Sequence, residues 1–340
     1  MDEQQSEGTV DRVGRGVFVR ALLGGFLMGL ANLVPGISGG TMLVAAGVYT
    51  RFIDAVSDTT RLRLSRDTVL ILMAIVGSAV VAIGGFAGVI SLGLAEFRWG
   101  MYSLFIGLTL GGVPIMVRLI GRMTPAAILG CVVGIAVMVG LVVLQSNQPG
   151  GHAAEPGFFG LMLAGVAGAS AMILPGISGA YLLLILGQYE NVVSVVKDTV
   201  KAAAAMDVGG VLAGMGTLVP VCIGVVLGVA VVGNVLRFVL HRFEKPTLGL
   251  LLGLLIAAPA GLYPFKEAAA PAVGDVFEGE IVTEESLVEI EPKDWSESYF
   301  VPGAGHILGS LGLIAAGIGV TVLVARLGKD GKASGEKDAG

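Results

Sequence analysis

Charge is scarce in this chain. Asp, Glu, Lys and Arg make up 14% of its 340 residues, against about 25% in a soluble globular domain. Hydrophobic residues reach 54%, and mean hydropathy is +0.86. That composition belongs in lipid. Cysteine is nearly missing: Cys131 and Cys222 both fall inside apolar runs and read as small core residues, not as a disulfide or metal site. Histidine occurs three times, with His152 and His306 at the ends of predicted elements, where they read as surface residues. No Walker sequence is present, which argues against ATP hydrolysis. No acid pair lies within an apolar stretch, which argues against metal-dependent lipid-phosphate chemistry. A His nucleophile with basic phosphate clamps is missing as well. The composition implies no cofactor, no metal and no nucleic-acid partner.

Glycine is abundant, at 54 residues. It has no period of three, which excludes collagen, and it is spread through the apolar runs, where it lets helix backbones approach closely. One element occurs twice, as LVPGISGGTMLVAAGVY at 33–49 and LPGISGAYLLLILGQY at 174–189. Pro35, Gly36, Ser38, Gly39, Gly47 and Tyr49 return as Pro175, Gly176, Ser178, Gly179, Gly187 and Tyr189. Each copy breaks a long apolar stretch. Hydrocarbon offers no partner to freed backbone groups, so such a break is tolerated only against protein or a wet cavity. Paired breaks at matching positions of two halves are the strongest sequence pointer to a transporter binding site.

Eight apolar elements are predicted, at 17–50, 69–94, 100–119, 125–145, 157–188, 211–236, 247–264 and 305–326. They form two sets of four, each opening with a PGISG element. A weaker echo links FIGLTLGGVP at 105–114 with LLGLLIAAPAGLYP at 251–264. If both PGISG elements are hairpins and the other six elements cross once, one face holds 16 of the 21 Lys and Arg. The other keeps Arg98, Lys197, Lys201, Lys266 and Lys293. Were either hairpin a single crossing, the split would be 13 against 8. The positive-inside rule therefore favours two hairpins, with both termini cytoplasmic. A hairpin plus three crossings is an odd number of passes, so the second half enters upside down.

The expected fold is an all-α integral membrane protein of two inverted repeats, each a broken, re-entrant hairpin plus three transmembrane helices. The repeats span 17–145 and 157–326, behind a cytoplasmic leader at 1–16 that is not read as a signal peptide. An outer loop at 265–304 holds ten acidic residues, including Glu284, Glu285, Glu289 and Glu291, and reads as a solvated segment. The tail 327–340 reads as a disordered cytoplasmic segment. Charge parity does not separate a re-entrant hairpin from two full crossings. The arm 17–34 reaches about 27 Å at 1.5 Å per residue, against a hydrocarbon core of about 30 Å.

Val34-Pro35-Gly36-Ile37 fits a type II turn, with Gly36 at the positive-φ position. Ser38 is then placed to cap a new helix, exposing the amides of Gly39, Gly40 and Thr41. The second copy offers Pro175, Gly176 and Ser178, with Gly179, Ala180 and Tyr181 as amide donors. Free amides at a helix start bind phosphate. Asn32 precedes the first break and could hydrogen-bond the same ligand; its counterpart, Met172, cannot. Arg51 is a candidate phosphate partner and Glu190 a candidate carrier of a coupling proton, each balanced against interfacial anchoring. Tyr49 and Tyr189 complete the set as gating candidates.

These residues resemble a prokaryotic family of polyprenyl-phosphate translocases, formerly catalogued only as a domain of unknown function. Its mark is a duplicated Pro-Gly-x-Ser-Gly element with a Gly-x-Tyr-acid ending, here PGISGGTMLVAAGVYT at 35–50 and PGISGAYLLLILGQYE at 175–190. The resemblance covers about 17–264 and 305–326, and the acidic loop looks like an insertion. It implies a flippase in the plasma membrane that returns undecaprenyl or dolichyl phosphate to the cytoplasmic leaflet for envelope glycan synthesis, with a proton or sodium as a possible coupling ion. Thr50 stands where that pattern carries an acid, and Ala180 where the first copy has Gly40. A small-anion or other lipid-phosphate carrier using the same tips is the alternative within transport. A membrane-embedded lipid-phosphate enzyme is the alternative outside it.

Overall fold

Long apolar runs with glycine at close intervals favour helices that pack backbone to backbone, and the computed structural model is built that way. It describes residues 14–34, 36–146, 157–269, 272–274, 276–277, 280–283 and 296–327. The first half runs α1 (Arg15–Asn32), α2 (Gly39–Ala45), α3 (Tyr49–Thr60), α4 (Arg66–Glu96), α5 (Arg98–Leu110), α6 (Gly112–Ile120) and α7 (Pro125–Ser146). The second runs α8 (Phe158–Ile173), α9 (Gly179–Ile185), α10 (Tyr189–Ala204), α11 (Val208–Arg242), α12 (Glu244–Ala257), a 3-10 turn at Ala258–Gly261, and α13 (Ala304–Leu327). Among the described residues, five segments are long and apolar enough to cross a bilayer: Arg66–Glu96, Arg98–Ile120, Pro125–Leu144, Val208–Arg242 and Ala304–Arg326. The fold is an all-α membrane architecture.

Matching elements pack in matching ways. α1 lies along α4, and α8 lies along α11. The third and last helices exchange partners: α12 of the second half packs on α7 of the first, and α5 of the first packs on α13 of the second. Glycine sets the spacing at each seam. A Cβ on Gly253 would strike the Cys131 carbonyl, one on Gly165 the Val221 carbonyl, and one on Gly107 the Ile314 carbonyl. Buried polar pairs tie the same seams. Ser103 and Ser310 share a hydrogen bond of 2.8 Å, and the Thr321 hydroxyl donates to the Leu108 carbonyl at 2.9 Å. Lipid tails are as apolar as leucine, so close packing and such bonds supply the association energy.

Several expectations need adjustment. The stretch after each PGISG element is helical, as α3 and α10, largely beyond the apolar elements expected to end at 50 and 188. Element 247–264 is covered by the 14-residue α12, which starts earlier at Glu244 and stops at Ala257, followed by the 3-10 turn, because Pro259 has no N–H to give to the next α-helical bond. The 100–119 element divides at Gly111 into α5 and α6. Within the acidic loop, Lys266–Ala269 pairs antiparallel with Ser296–Tyr299, and Val276–Phe277 with Glu280–Ile281. The leader 1–13, His152, the four-glutamate cluster and the tail beyond Leu327 lie outside the described residues. His306 stacks edge-on against Trp99 and Phe300, which accounts for it as part of an aromatic cluster.

Candidate functional site

The two breaks have nearly the same backbone. Gly36 and Gly176 take φ of 86° and 87°, and Gly47 and Gly187 take 67° and 64°. These left-handed torsions suit glycine and strain other residues. The Ile37 amide donates to the Val34 carbonyl at 3.3 Å, closing the turn expected there. Ser38 and Ser178 both precede their short helices in extended conformation, with φ of −89° and −91°. α2 and α9 are seven residues each, a rise of about 10 Å. That is a third of the hydrocarbon thickness.

The breaks meet each other. The Ser38 hydroxyl donates to the Leu174 carbonyl at 3.1 Å. The Gly176 amide donates to the Thr41 hydroxyl at 2.9 Å, and the Tyr49 hydroxyl donates to the Ile173 carbonyl at 2.9 Å. Gly40 faces the same strip of chain: a Cβ there would stand 3.1 Å from the Met172 carbonyl oxygen and 3.2 Å from that of Ile173. Three side chains of the first element thus satisfy backbone groups that the second break sets free. Such groups must be paired at membrane depth.

This changes the roles assigned from sequence. Ser38 does not cap α2; its hydroxyl is spent on the other half. The Thr41 amide is already held by the Ser38 carbonyl at 3.2 Å, and the Thr41 hydroxyl is its working group. Tyr49 is buried and bonded across the halves, whereas Tyr189 is half-buried. Gly39, Pro175, Gly176 and Ser178 are buried, and Gly36, Gly179 and Ala180 are half-buried. Asn32 closes α1 with its amide oxygen against Gly39. Arg51 lies in the first turn of α3 and is half-buried. Pro35 and the side chains of Tyr181 and Glu190 lie outside the described residues.

The two elements occupy different surroundings. Every residue of α2 is buried, while α9 is mostly half-buried and exposes Leu184. α3 packs on α11 of the other half, and α10 stays with α11 of its own. Polar residues hold the α3–α11 contact. Ser57 donates to the Asn234 side-chain oxygen at 2.8 Å, and the Asn234 amide donates to Thr60 at 2.8 Å. Arg237 pairs with Asp58, and with Asp54 at 3.2 Å; His241 approaches Asp54 at 3.7 Å. Burial raises the Asp54 carboxyl above its ordinary pKa, and His241 and Arg237 pull it back. The apolar pattern misses this cluster, because 51–68 falls between the predicted elements 17–50 and 69–94. Its signals were the amphipathic spacing of Asp54, Ser57, Asp58 and Arg61, and the spacing of Asn234, Arg237 and His241 along one side of an apolar helix.

Among the described residues no group of His, Cys, Asp and Glu is placed to hold a metal. No solved structure matches the chain. Two curated relatives do, both named polyprenyl-phosphate transporter. One, from Vibrio cholerae, is 28% identical over 262 residues, covering 74% of this chain and 79% of the relative. The other, from Staphylococcus aureus, is 28% identical over 252 residues, covering 72% and 85%. The undecaprenyl phosphate translocase-like family model matches residues 28–276, from before the first break to the start of the acidic loop. Bearing both breaks inside that match, the chain belongs to the undecaprenyl phosphate translocase-like family.

Proposed function

We propose that this protein carries a polyprenyl phosphate, undecaprenyl or dolichyl, between membrane leaflets, and that the phosphate passes where the two PGISG breaks meet. The observation that carries this reading is the contact of Ser38 and Thr41 with Leu174 and Gly176 in the protein interior. An unaided phosphate would take its charge through hydrocarbon at a cost of many kcal/mol, while the isoprenoid tail needs no help. Polar groups at depth lower that barrier. In this conformation the cradle is shut, because its hydroxyls bond the opposite break. A phosphate oxygen replaces the Thr41 oxygen at the Gly176 amide, and the freed Ser38 and Thr41 hydroxyls turn to the anion. Gly39, Gly40 and Gly179 let the headgroup approach the backbone, with Gly36, Ser178, Ala180 and Tyr181 on the rim and Asn32 beside it.

Two further lines support a carrier. The paired torsions and the exchanged packing of α5–α13 and α7–α12 are what two inverted repeats produce. The same element is tightly enclosed in one half and looser in the other, as alternating access requires of a carrier caught on one side. On the charge count both termini are cytoplasmic, and the family resemblance implies the plasma membrane, which suits recycling of a spent glycan carrier. The reading is of a transporter and not an enzyme. Glu190 is the candidate for a coupling proton, and Arg51 remains a phosphate contact on the cytoplasmic approach.

The test is exchange of labelled polyprenyl phosphate between leaflets of proteoliposomes, comparing wild type with Gly36→Leu plus Gly176→Leu. Protein-dependent exchange, lost in a folded double variant, is the expected result. No exchange by folded wild type, with or without a proton or sodium gradient, would redirect the reading to a small-anion carrier.

A further inference from the structure

Three elements distant in sequence place an arginine each on one cavity. Arg20 comes from the second turn of α1, Arg118 from the end of α6 and Arg326 from the end of α13. The cavity measures about 300 Å³, and apolar residues such as Ile115, Leu119 and Val322 wall the rest of it. Its lining includes Gly47, in the turn between α2 and α3. The Arg20 guanidinium lies over that turn, 3.5 Å from where a Cβ would stand. Among the described residues no carboxylate pairs with any of the three. Converging like charges repel one another, and a polar-headed cavity with apolar walls has a ready complement in an anion on an apolar stem.

We propose that this cavity is a loading site for a phosphate monoester on a lipid tail, with Arg20, Arg118 and Arg326 holding the headgroup and the apolar wall holding the first units of the tail. Arginine suits the role because its planar fork presents paired donors to phosphate oxygens and stays charged at the membrane surface. Position agrees with it. All three arginines fall on the cytoplasmic side of the charge-derived topology. The Gly47 turn also lies one length of α2, about 10 Å, from the paired breaks. A headgroup held here waits at the end of the hairpin whose tip would take it next. This inference rests on the transport reading and gives it an entry point.

The experiment uses the full chain in nanodiscs of uncharged lipid and measures binding of fluorescent farnesyl phosphate. Wild type is compared with Arg118→Gln plus Arg326→Gln and with Arg122→Gln, an exposed arginine between α6 and α7 that does not line the cavity. Arg118 and Arg326 are exposed and hydrogen-bond to none of the described residues, so the double variant should elute from size exclusion as wild type does. We expect it to bind farnesyl phosphate at least tenfold more weakly, with Arg122→Gln close to wild type and neutral farnesol bound weakly by all. Equal affinity in wild type and the arginine variant would overturn the site. So would equal competition by phosphatidylglycerol, a phosphodiester, which would make the arginines surface anchors. Inorganic phosphate binding as tightly as farnesyl phosphate would support the phosphate cluster and overturn the lipid assignment. Leaflet exchange is read separately. Arginine-dependent binding without exchange overturns the transport reading and keeps the site; exchange with unchanged affinity in the arginine variant does the reverse.

Discussion

The Gly176 amide donates to the Thr41 hydroxyl over 2.9 Å, joining the two breaks through residues that stand 135 positions apart in the chain. Thr41→Val keeps the shape and removes the acceptor, leaving a buried N–H unpaired at a cost of about 1–3 kcal/mol. Thermal unfolding in detergent should show a lower midpoint for Thr41→Val, with Thr41→Ser close to wild type. A Thr41→Val midpoint equal to wild type would mean the bond contributes nothing.

Tyr49→Phe removes one hydroxyl from the same junction and strands the Ile173 carbonyl. A carbonyl has a second lone pair and tolerates the loss better than an amide, so we expect about 1 kcal/mol. Transport should respond differently from stability. Where the cradle must open, weakening a bond that shuts it speeds exchange or leaves it unchanged. A folded Tyr49→Phe protein with abolished exchange would instead place Tyr49 on the substrate.

Two glycines on one kind of helix should behave in opposite ways. A Cβ at Gly253 collides with the Cys131 carbonyl, so Gly253→Ala must push α12 from α7. Overpacking of this sort costs about 1–3 kcal/mol. Gly77, within α4, has open space around its Cβ position, and Gly77→Ala should stabilise by about 0.5–1 kcal/mol through helix propensity. Paired thermal midpoints check both signs in one experiment.

Arg237 faces both Asp54 and Asp58 at the α3–α11 contact, and each side chain is less than a third exposed. Arg237→Ala leaves two part-buried carboxylates side by side without their cation. The expected loss is about 1–3 kcal/mol, short of the 3–5 of a fully buried pair. High salt should recover part of it by screening the two carboxylates from each other. Asp54→Asn in the Arg237→Ala background should restore stability. Additive losses in the double variant would show that the two side chains do not act together.

Both turns were legible in the motif. PGISG appears twice because the chain must turn twice at membrane depth, and Pro-Gly specifies that turn by torsion alone. The positive φ of Gly36 and Gly176 follows directly from the motif. What Ser38 does was not legible. Locally a serine there caps the next helix, and only the nearness of Leu174 makes a better acceptor available. α3 was obscured for another reason: hydropathy marks what lies in lipid, and an amphipathic helix on a protein face carries too many charges to register.

The membrane class, the long apolar helices and the paired breaks follow from the sequence alone, because burying backbone in hydrocarbon allows few local solutions and each leaves a compositional mark. Only the tertiary structure decided that the breaks touch, that α2 is enclosed while α9 is not, and that Arg20, Arg118 and Arg326 share one cavity. Those are relations between segments up to about three hundred residues apart. Helix seams set by glycine backbone contacts fix them, and no local propensity encodes which seam a helix will join.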